Sequence, residues 1–406
     1  MTGIAIENLD AVCTGDISNP LIEADTVLAR EGRVTAVGRG LGFDEHEYDV
    51  VLDGRGNLLA PGLIDSHVHT VLGDYTPRQQ TIGFLESYAH GGITRSLSAS
   101  EVHAPGRPTD PAGVKALALV AHRSFGKLRP GGMTVHGGSL ILEPGLQDED
   151  FAELAAEGVW QAKAGMGNFH PASEAADLVR MAQRHGFKVM CHTGGISIPG
   201  SSPVSADDLL TLMPDVSGHV NGGTTSLPDK DLPRVVDSGI ALQICQAGNL
   251  RSALEIVHLA QERGVLDRVL VASDTPTGTG MMPLAVIKSV TELSSLALLP
   301  AEVALCFATG NVGRAYGLEA GLIREGAPAD FVLLDAPAAS SADSALHAIS
   351  IGDLPAVSAV VTDGVLRILR SHNTPPPQRL PEISSDNATR NRKETHGSTD
   401  STSVHA

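Results

Sequence analysis

The middle of the chain alternates short apolar runs with longer amphipathic stretches. Eight runs rich in aliphatic and β-branched residues cover 58–65, 93–100, 133–138, 159–165, 188–192, 215–219, 240–245 and 269–274. Between them lie stretches with the apolar period of a surface helix, such as 174–185 and 254–263. Eight strand–helix units over this length predict an α/β fold, a (β/α)8 TIM-like barrel. An open doubly wound sheet is the alternative, but no GxGxxG sequence follows the first run, so a dinucleotide site lacks its signature.

Both ends of the chain have the pattern of short β-strands. Segments 3–9, 24–30, 33–38 and 50–53 alternate apolar and polar residues, and segments 329–334 and 356–369 do the same near the other end. We therefore predict a small β-sandwich domain built from residues 1–56 and 326–370, on either side of a barrel of residues 57–325. Residues 371–406 are rich in Pro, Ser, Thr, Asn and charge, which predicts a disordered tail.

Composition and charge exclude some classes of partner. The 406 residues include 29 Lys plus Arg against 47 Asp plus Glu, a net charge of −18, which weighs against nucleic-acid and membrane-surface partners. The first residues carry neither a basic nor an apolar signal region. Four cysteines lie far apart without CxxC spacing, as is typical of reduced thiols. We expect a cytoplasmic protein.

Polar side chains recur where the apolar runs end. In chain order they are His67, His69, His136, Lys163, His192, His219 and Asp274. Strand ends line the active-site mouth of such a barrel, and an HxH sequence puts both imidazoles on one face of its strand. Imidazole and carboxylate are ligands of zinc-like metals. Each residue alone has an ordinary interpretation, a rim histidine, a helix cap for Asp274 or a solvated lysine, but their joint placement favours a metal site.

Several segments resemble the amidohydrolase superfamily. They are PGLIDSHVH (61–69), CH (191–192), GHV (218–220), SD (273–274) and GLIREGAPADFVLLD (321–335). The resemblance covers residues 1 to about 370 and implies the same barrel and β-sandwich. It also implies two divalent metal ions, zinc first, with iron or manganese as alternatives at one site.

The resemblance assigns a role to each of these side chains. It places His67, His69 and Asp274 on one metal, and His192 and His219 on the other. Lys163 would bridge them as an N6-carboxylated lysine, because a bare ammonium beside two divalent cations would be repelled. Asp274 would be catalytic: it would accept a proton from the bridging water and deliver it to the leaving nitrogen.

Within the superfamily, the segments GDYTPRQ (73–79), VHGGSLILEPGL (135–146), CHTGGISIPGSS (191–202) and SDTPTGTGMMPL (273–284) look most like the enamidases. That resemblance implies hydrolysis of a cyclic amide by a bridging hydroxide, with 6-oxo-1,4,5,6-tetrahydronicotinate giving 2-formylglutarate and ammonia. One departure is Lys163, where the enamidase pattern carries a glutamate. The alternatives are an amidohydrolase acting on another cyclic imide, ureide or linear amide, as dihydropyrimidinases and dihydroorotases do, and a catalytically inactive scaffold.

The implied substrate carries a carboxylate, so a group that binds a carboxylate is expected near the site. Arg78 and Arg107 follow the first two runs and could clamp a carboxylate in bidentate fashion, with a surface arginine as an equal alternative. Tyr75 and His103 are weaker candidates, and His136 could contact the scissile carbonyl or line the rim. The resemblance further implies a homo-oligomer, a dimer or tetramer.

Overall fold

The computed structural model describes residues 3–69, 81–102, 106–196, 202–223, 225–276, 280 and 282–387. The first seven strands are β1 Gly3–Glu7, β2 Ala11–Cys13, β3 Leu21–Ile22, β4 Thr26–Arg30, β5 Arg33–Gly38, β6 Val50–Asp53 and β7 Leu58–Pro61. The next nine are β8 Leu63–Val68, β9 Ile93–Ser98, β10 Thr134–His136, β11 Ser139–Ile141, β12 Gln161–Ala164, β13 Lys188–His192, β14 Val216–Gly218, β15 Ala241–Cys245 and β16 Val269–Ala272. The last four are β17 Phe331–Asp335, β18 Ala356–Thr362, β19 Val365–Leu369 and β20 Glu382–Asp386.

The α-helices lie mainly between the strands of the middle region. They are α1 Thr81–Ala89, α2 Pro111–Phe125, α3 Asp148–Ala156, α4 Ala176–Arg184, α5 Ala206–Leu212, α6 Leu232–Val236, α7 Leu250–Arg263, α8 Ala285–Leu296, α9 Ala301–Cys306, α10 Gly310–Tyr316 and α11 Ala345–Ile351. The predicted helix at 254–263 starts earlier, at Leu250, because the Asn249 side chain accepts a hydrogen bond from Ser252 N (3.0 Å) and caps the first turn. Within the described residues, no helix is both long and apolar enough to cross a membrane.

Two sheets combine strands from both ends of the chain. One has the order β20-β6-β1-β4-β5 and the other the order β19-β18-β17-β7-β2-β3. Their apolar faces share a buried core that includes Ile6, Leu52, Leu59, Phe331 and Leu333. The amino-terminal and carboxyl-terminal segments must therefore fold together, since neither segment supplies a complete core.

The middle region forms two parallel sheets with the orders β10-β9-β8 and β11-β12-β13-β14-β15-β16. Val68 and Thr275 form a parallel bridge between the β8 side and the β16 side. Two backbone hydrogen bonds support it, from Asp274 N to His67 O (2.9 Å) and from His69 N to Thr275 O (3.0 Å). This contact brings the carboxyl ends of the first and last parallel strands side by side.

The first predicted apolar run, 58–65, is divided between two sheets. β7 pairs with β17 and β2 in a terminal sheet, whereas β8 pairs with β9 in the middle region. The chain crosses from one to the other at Gly62, where a Cβ atom would lie 2.2 Å from the Thr94 side chain. Glycine is required there because the backbone at Gly62 passes so close to Thr94 on β9.

The expectation of disorder from residue 371 onward is wrong for residues 371–387. β20 pairs with β6 in antiparallel register, and Arg379 N donates to the fully buried carboxylate of Asp335 (2.6 Å). The polar composition of this segment hid the order, because its contacts are mainly hydrogen bonds and two ion pairs, Arg379–Asp335 and Arg55–Glu382, rather than apolar burial. Residues 388–406 lie outside the described part of the chain.

A largely buried ion pair links the parallel strands to the terminal sheets. Arg95 on β9 donates from Nε to Asp330 Oδ2 (2.9 Å), and the two side chains are 13% and 9% exposed. We expect Asp330→Ala to lower the free energy of unfolding by about 3 kcal/mol, because it leaves a buried guanidinium without its partner. Urea denaturation measures this loss.

The exposed pair Arg39–Glu23 (3.4 Å) supplies the matched control. Its side chains are 74% and 92% exposed, so Glu23→Ala should leave the urea midpoint unchanged. Equal effects of the two substitutions would contradict the importance assigned to the buried pair.

Candidate metal centre

The contact between β8 and the end of β16 assembles three ligand side chains. His67 Nε2 lies 3.1 Å from Asp274 Oδ1, and His69 Nε2 lies 3.3 Å from the same oxygen. All three residues are buried, and their potential ligand atoms lie within 4.8 Å of one another. Ligand atoms about 2.0–2.1 Å from a tetrahedral zinc would be about 3.3 Å apart, so these separations suit one divalent ion.

His192 and His219 form a second pair next to the first group. His192 is the last residue of β13 and His219 follows β14. His192 Nδ1 lies 3.0 Å from His219 Nε2, and the rings of His219 and His67 have centroids 5.4 Å apart. The two groups are therefore adjacent parts of one buried cluster.

Lys163 lies on β12, with 2% of its surface exposed. Burial lowers its pKa, and the nearby carboxylate of Asp274 partly opposes that effect. The lysine also helps to lower the pKa of His67 and of His192, although burial is the larger cause in both. The structure therefore brings six of the seven residues named from the strand ends, all except His136, into one region.

The electrostatic state of these groups suits a cation. Burial lowers the pKa of His192 to about 4 and that of His219 well below its ordinary value, which keeps both imidazoles neutral. Burial alone would raise the pKa of Asp274, but the adjacent His67 and His69 hold it well below its ordinary value. Neutral imidazoles and an ionised carboxylate are the forms that bind metal. The donor set therefore fits a divalent metal centre.

Two of these residues have strained backbones. His219 has φ = 36° and Asp274 has φ = 57°, in the left-handed region that costs a residue with a Cβ atom about 1–2 kcal/mol. Strain of this kind clusters at functional sites. Here it turns both side chains towards the cluster just beyond the ends of their strands.

The residues that orient these ligands were not predicted from the sequence. His67 Nδ1 lies 2.7 Å from Gln243 Oε1, and His192 Nε2 donates to the carbonyl oxygen of Gly195 (2.7 Å). The buried carboxylate of Asp65 accepts a hydrogen bond from Ser273 N (2.9 Å), and burial raises its pKa to about 7. The available signal was a polar residue in a segment predicted to form a buried strand, as at Asp65 in LIDSHV and Gln243 in ALQIC.

Arg107 does not have the environment expected of a carboxylate clamp. Its guanidinium forms a buried ion pair with Glu143 and donates to the carbonyl oxygen of Met166 (2.8 Å). The charge is already neutralised, and the side chain joins two loops at the carboxyl ends of the strands. Arg78, Tyr75 and His103 lie outside the described residues.

His136 faces a different cavity from the one predicted. Its ring packs edge-on against Trp160, and it lines a cavity of about 670 Å³ with Arg33 and Arg95, between the parallel strands and the terminal sheets. None of the six clustered residues lines this cavity. The reason is that the third strand does not end at His136: after Gly137 and Gly138 it continues as β11. A contact between His136 and a substrate carbonyl is therefore not supported.

The neutral, largely enclosed imidazole of His136 predicts a pH effect on stability. Burial, with Arg95 and Arg129, lowers its folded-state pKa to about 3, whereas unfolded histidine titrates near 6.5. Below pH 6.5 the unfolded chain therefore binds a proton that the folded chain does not, and stability falls with pH. Relative to His136→Gln, the wild type should lose about 2–3 kcal/mol between pH 7 and 4.5. Urea unfolding at both pH values tests this, and a pH-independent difference would contradict it.

Known proteins resemble this chain over most of its length. No family model matches the chain. The chain is 42% identical over 385 residues to an enamidase from Eubacterium barkeri, which covers 94% of this chain and 100% of that protein. An imidazolonepropionase from Ectopseudomonas mendocina is 28% identical over 364 residues, covering 78% of this chain and 87% of the relative.

Solved structures agree with the sequence relatives. The crystal structure of an enamidase, described as a member of the amidohydrolase superfamily, matches with a TM-score of 0.90 at 42% identity, over 94% of this chain and 100% of that one. An amidohydrolase from a Sargasso Sea environmental sample matches with a TM-score of 0.62 over 98% of this chain and 97% of that one, and its 17% identity supports the fold alone. The predicted resemblance is confirmed, and the chain belongs to the enamidases of the amidohydrolase superfamily, which are hydrolases of carbon–nitrogen bonds.

Proposed function

We propose that this protein opens the ring of a cyclic enamide by hydrolysis of its lactam C–N bond. The proposed substrate is 6-oxo-1,4,5,6-tetrahydronicotinate, and the products are 2-formylglutarate and ammonia. The observation that carries the proposal is the buried cluster of four histidines and Asp274 in a chain that is 42% identical to an enamidase. A ring carboxylate distinguishes this substrate from a simple lactam.

Six residues would hold two divalent metal ions, with zinc proposed first and iron or manganese as alternatives at one site. His67, His69 and Asp274 would bind one ion, and His192 and His219 the other. Bound there, the ions would lower the pKa of a shared water molecule and polarise the lactam carbonyl. Neutral imidazole suits all three metals.

Lys163 is proposed to contribute an anion between the two groups. Its side chain is buried and its charge acts on both His67 and His192, so an unmodified ammonium would oppose the binding of divalent ions there. Addition of CO₂ to the neutral amine forms a new N–C bond and releases one proton, which leaves a carbamate anion. This modification would turn a repelled cation into an oxygen ligand.

Asp274 is proposed as the group that moves the proton. Its carboxylate is 11% exposed, adjacent to His67 and His69, and well placed at the end of β16 to meet a molecule in the mouth of the site. The carboxylate would accept a proton from the attacking water and pass it to the ring nitrogen as the C–N bond breaks.

The proposed reaction consumes two water molecules. The first adds to the lactam carbonyl, the ring C–N bond breaks, and its electron pair remains on the nitrogen, which takes up the proton. The freed enamine then tautomerises to an imine. A second water adds to the imine carbon and ammonia leaves, which produces the aldehyde.

Among the cations named from the sequence, we propose Arg78 for the substrate carboxylate. Arg107 is neutralised by Glu143, whereas Arg78 belongs to the segment that directly follows the His67–His69 strand. A planar guanidinium can bind a carboxylate through two parallel hydrogen bonds. Tyr75 lies in the same segment and is proposed as a further contact.

We also propose that the parallel strands close into a (β/α)8 barrel and that the terminal sheets form a discontinuous β-sandwich domain. The contact between β8 and β16 supports the first proposal, and the shared core of the terminal sheets supports the second. A cytoplasmic homo-oligomer completes the proposal. The four cysteines are all buried and unpaired, as expected in a reducing compartment.

Ammonia release tests the proposed reaction. Protein supplied with zinc, iron(II) or manganese should convert 6-oxo-1,4,5,6-tetrahydronicotinate to one ammonia and one aldehyde per molecule. The saturated lactam 6-oxopiperidine-3-carboxylate is the matched control, because its opened product is a stable amine that cannot lose ammonia. Dihydrouracil should be hydrolysed negligibly.

The outcomes separate the candidate functions. Hydrolysis of a cyclic imide or ureide without ammonia release from the enamide would favour the alternative amidohydrolase, to which the imidazolonepropionase relative gives some support. A protein that binds no metal, or that turns over none of the compounds, would favour the inactive scaffold.

Substitution of Lys163 tests the proposed bridge. Lys163→Ala should lose at least one metal ion per chain and about 10³-fold in kcat, since no anion would then lie between the two groups. Lys163→Glu restores a carboxylate and should recover part of the metal content. Elemental analysis and ammonia assays measure both effects. A Lys163→Ala protein with full metal and full activity would remove lysine from the site.

A further inference from the structure

Gln243 is a fully buried amide at the centre of β15, beside the metal cluster. Its oxygen, Oε1, lies 2.7 Å from His67 Nδ1. Its nitrogen, Nε2, donates to Ser66 Oγ (2.8 Å) and to the Ser66 carbonyl oxygen (3.2 Å), and lies 3.3 Å from the Tyr316 hydroxyl. The amide therefore connects His67, a metal-ligand candidate, with Ser66 and Tyr316.

These contacts fix the orientation of the amide. The Ser66 carbonyl oxygen can only accept a hydrogen bond, so the NH₂ group of Gln243 must face it. A flipped amide would set two carbonyl oxygens against each other. Gln243 Oε1 consequently faces His67 and can only accept, which means that His67 Nδ1 carries a proton.

The tautomer of His67 follows from that hydrogen bond. A neutral imidazole has one protonated nitrogen, so His67 Nε2 carries the lone pair. This is the atom that lies 3.1 Å from Asp274 Oδ1. Without Gln243, the proton could move to Nε2, where it would block the position that a metal ion needs.

We infer that Gln243 is a positioning residue that holds His67 in its metal-binding tautomer and ring orientation; this inference rests on the proposed function. Ser66 and Tyr316 hold the amide, so the lone pair of His67 is aimed before any metal arrives. His192 achieves the same result with a backbone acceptor, Gly195 O, which no side-chain substitution removes. Gln243 is thus the side chain through which this orientation can be tested.

The test measures zinc affinity by competition with a chelating dye. Gln243→Met keeps the side-chain volume and removes the acceptor, and it should weaken one of the two zinc ions by 10- to 100-fold. Gln243→Asn, which stays polar but withdraws the oxygen by one methylene, should show a loss in the same direction. Gln243→Glu restores an acceptor for His67 Nδ1 but sets its second oxygen against the Ser66 carbonyl oxygen, so it should bind zinc more tightly than Gln243→Met and less tightly than the wild type.

Gln161→Met is the matched control. Gln161 is also a buried glutamine on a parallel strand, and it donates to the His136 carbonyl oxygen (3.0 Å) rather than to a metal-ligand candidate. Its loss should change the melting temperature of the metal-free protein but leave zinc affinity unchanged. Circular dichroism of the metal-free variants checks that each is folded.

Three results would overturn the inference. They are wild-type zinc affinity in both Gln243→Met and Gln243→Asn, an equal loss of affinity in Gln161→Met, and failure of Gln243→Glu to bind better than Gln243→Met. A wild-type protein that binds no zinc, iron or manganese would instead overturn the proposed function itself.

Discussion

His67 Nε2 and Asp274 Oδ1 lie 3.1 Å apart in a buried site, and in the inferred tautomer of His67 both atoms are electron-rich. Both side chains are largely buried, and a buried polar group that loses water without a partner costs several kcal/mol. A cation between the two atoms makes the arrangement favourable. Everything that sets their separation therefore matters, above all the backbone hydrogen bonds that join the ends of β8 and β16. The fold therefore keeps these two atoms close together.

The same constraint explains why much of the site could be predicted from sequence. The carboxyl ends of parallel strands meet at one edge of the sheet, so the side chains there lie close together. His67, His69 and Asp274 therefore converge once the strands are aligned. The apolar runs likewise located nearly every strand of the middle region. Prediction failed where the signal was not apolar: residues 371–387 are ordered by polar contacts, and Gln243 acts through a hydrogen bond that strand periodicity does not report.

The remaining differences between the predicted and the observed structure arise where a strand continues or changes sheet within an apolar run. His136 ends an apolar run, but the third strand resumes at Ser139, which leaves the imidazole among Arg33, Arg95 and Trp160 instead of at the mouth. The run at 58–65 contains a change of sheet at Gly62. Neither event alters the hydrophobic pattern, since both flanking segments are buried. The strand with which each segment pairs decides where a strand ends or changes sheet, and a single sequence does not reveal that pairing.

The central claim is that the two histidine groups each hold a divalent ion. Crystals grown with zinc and measured on both sides of the zinc absorption edge test it most directly. The account predicts two anomalous peaks inside the cluster, one among His67, His69 and Asp274 and the other at His192 and His219. Anomalous signal confined to the protein surface, with none in the cluster, would contradict it.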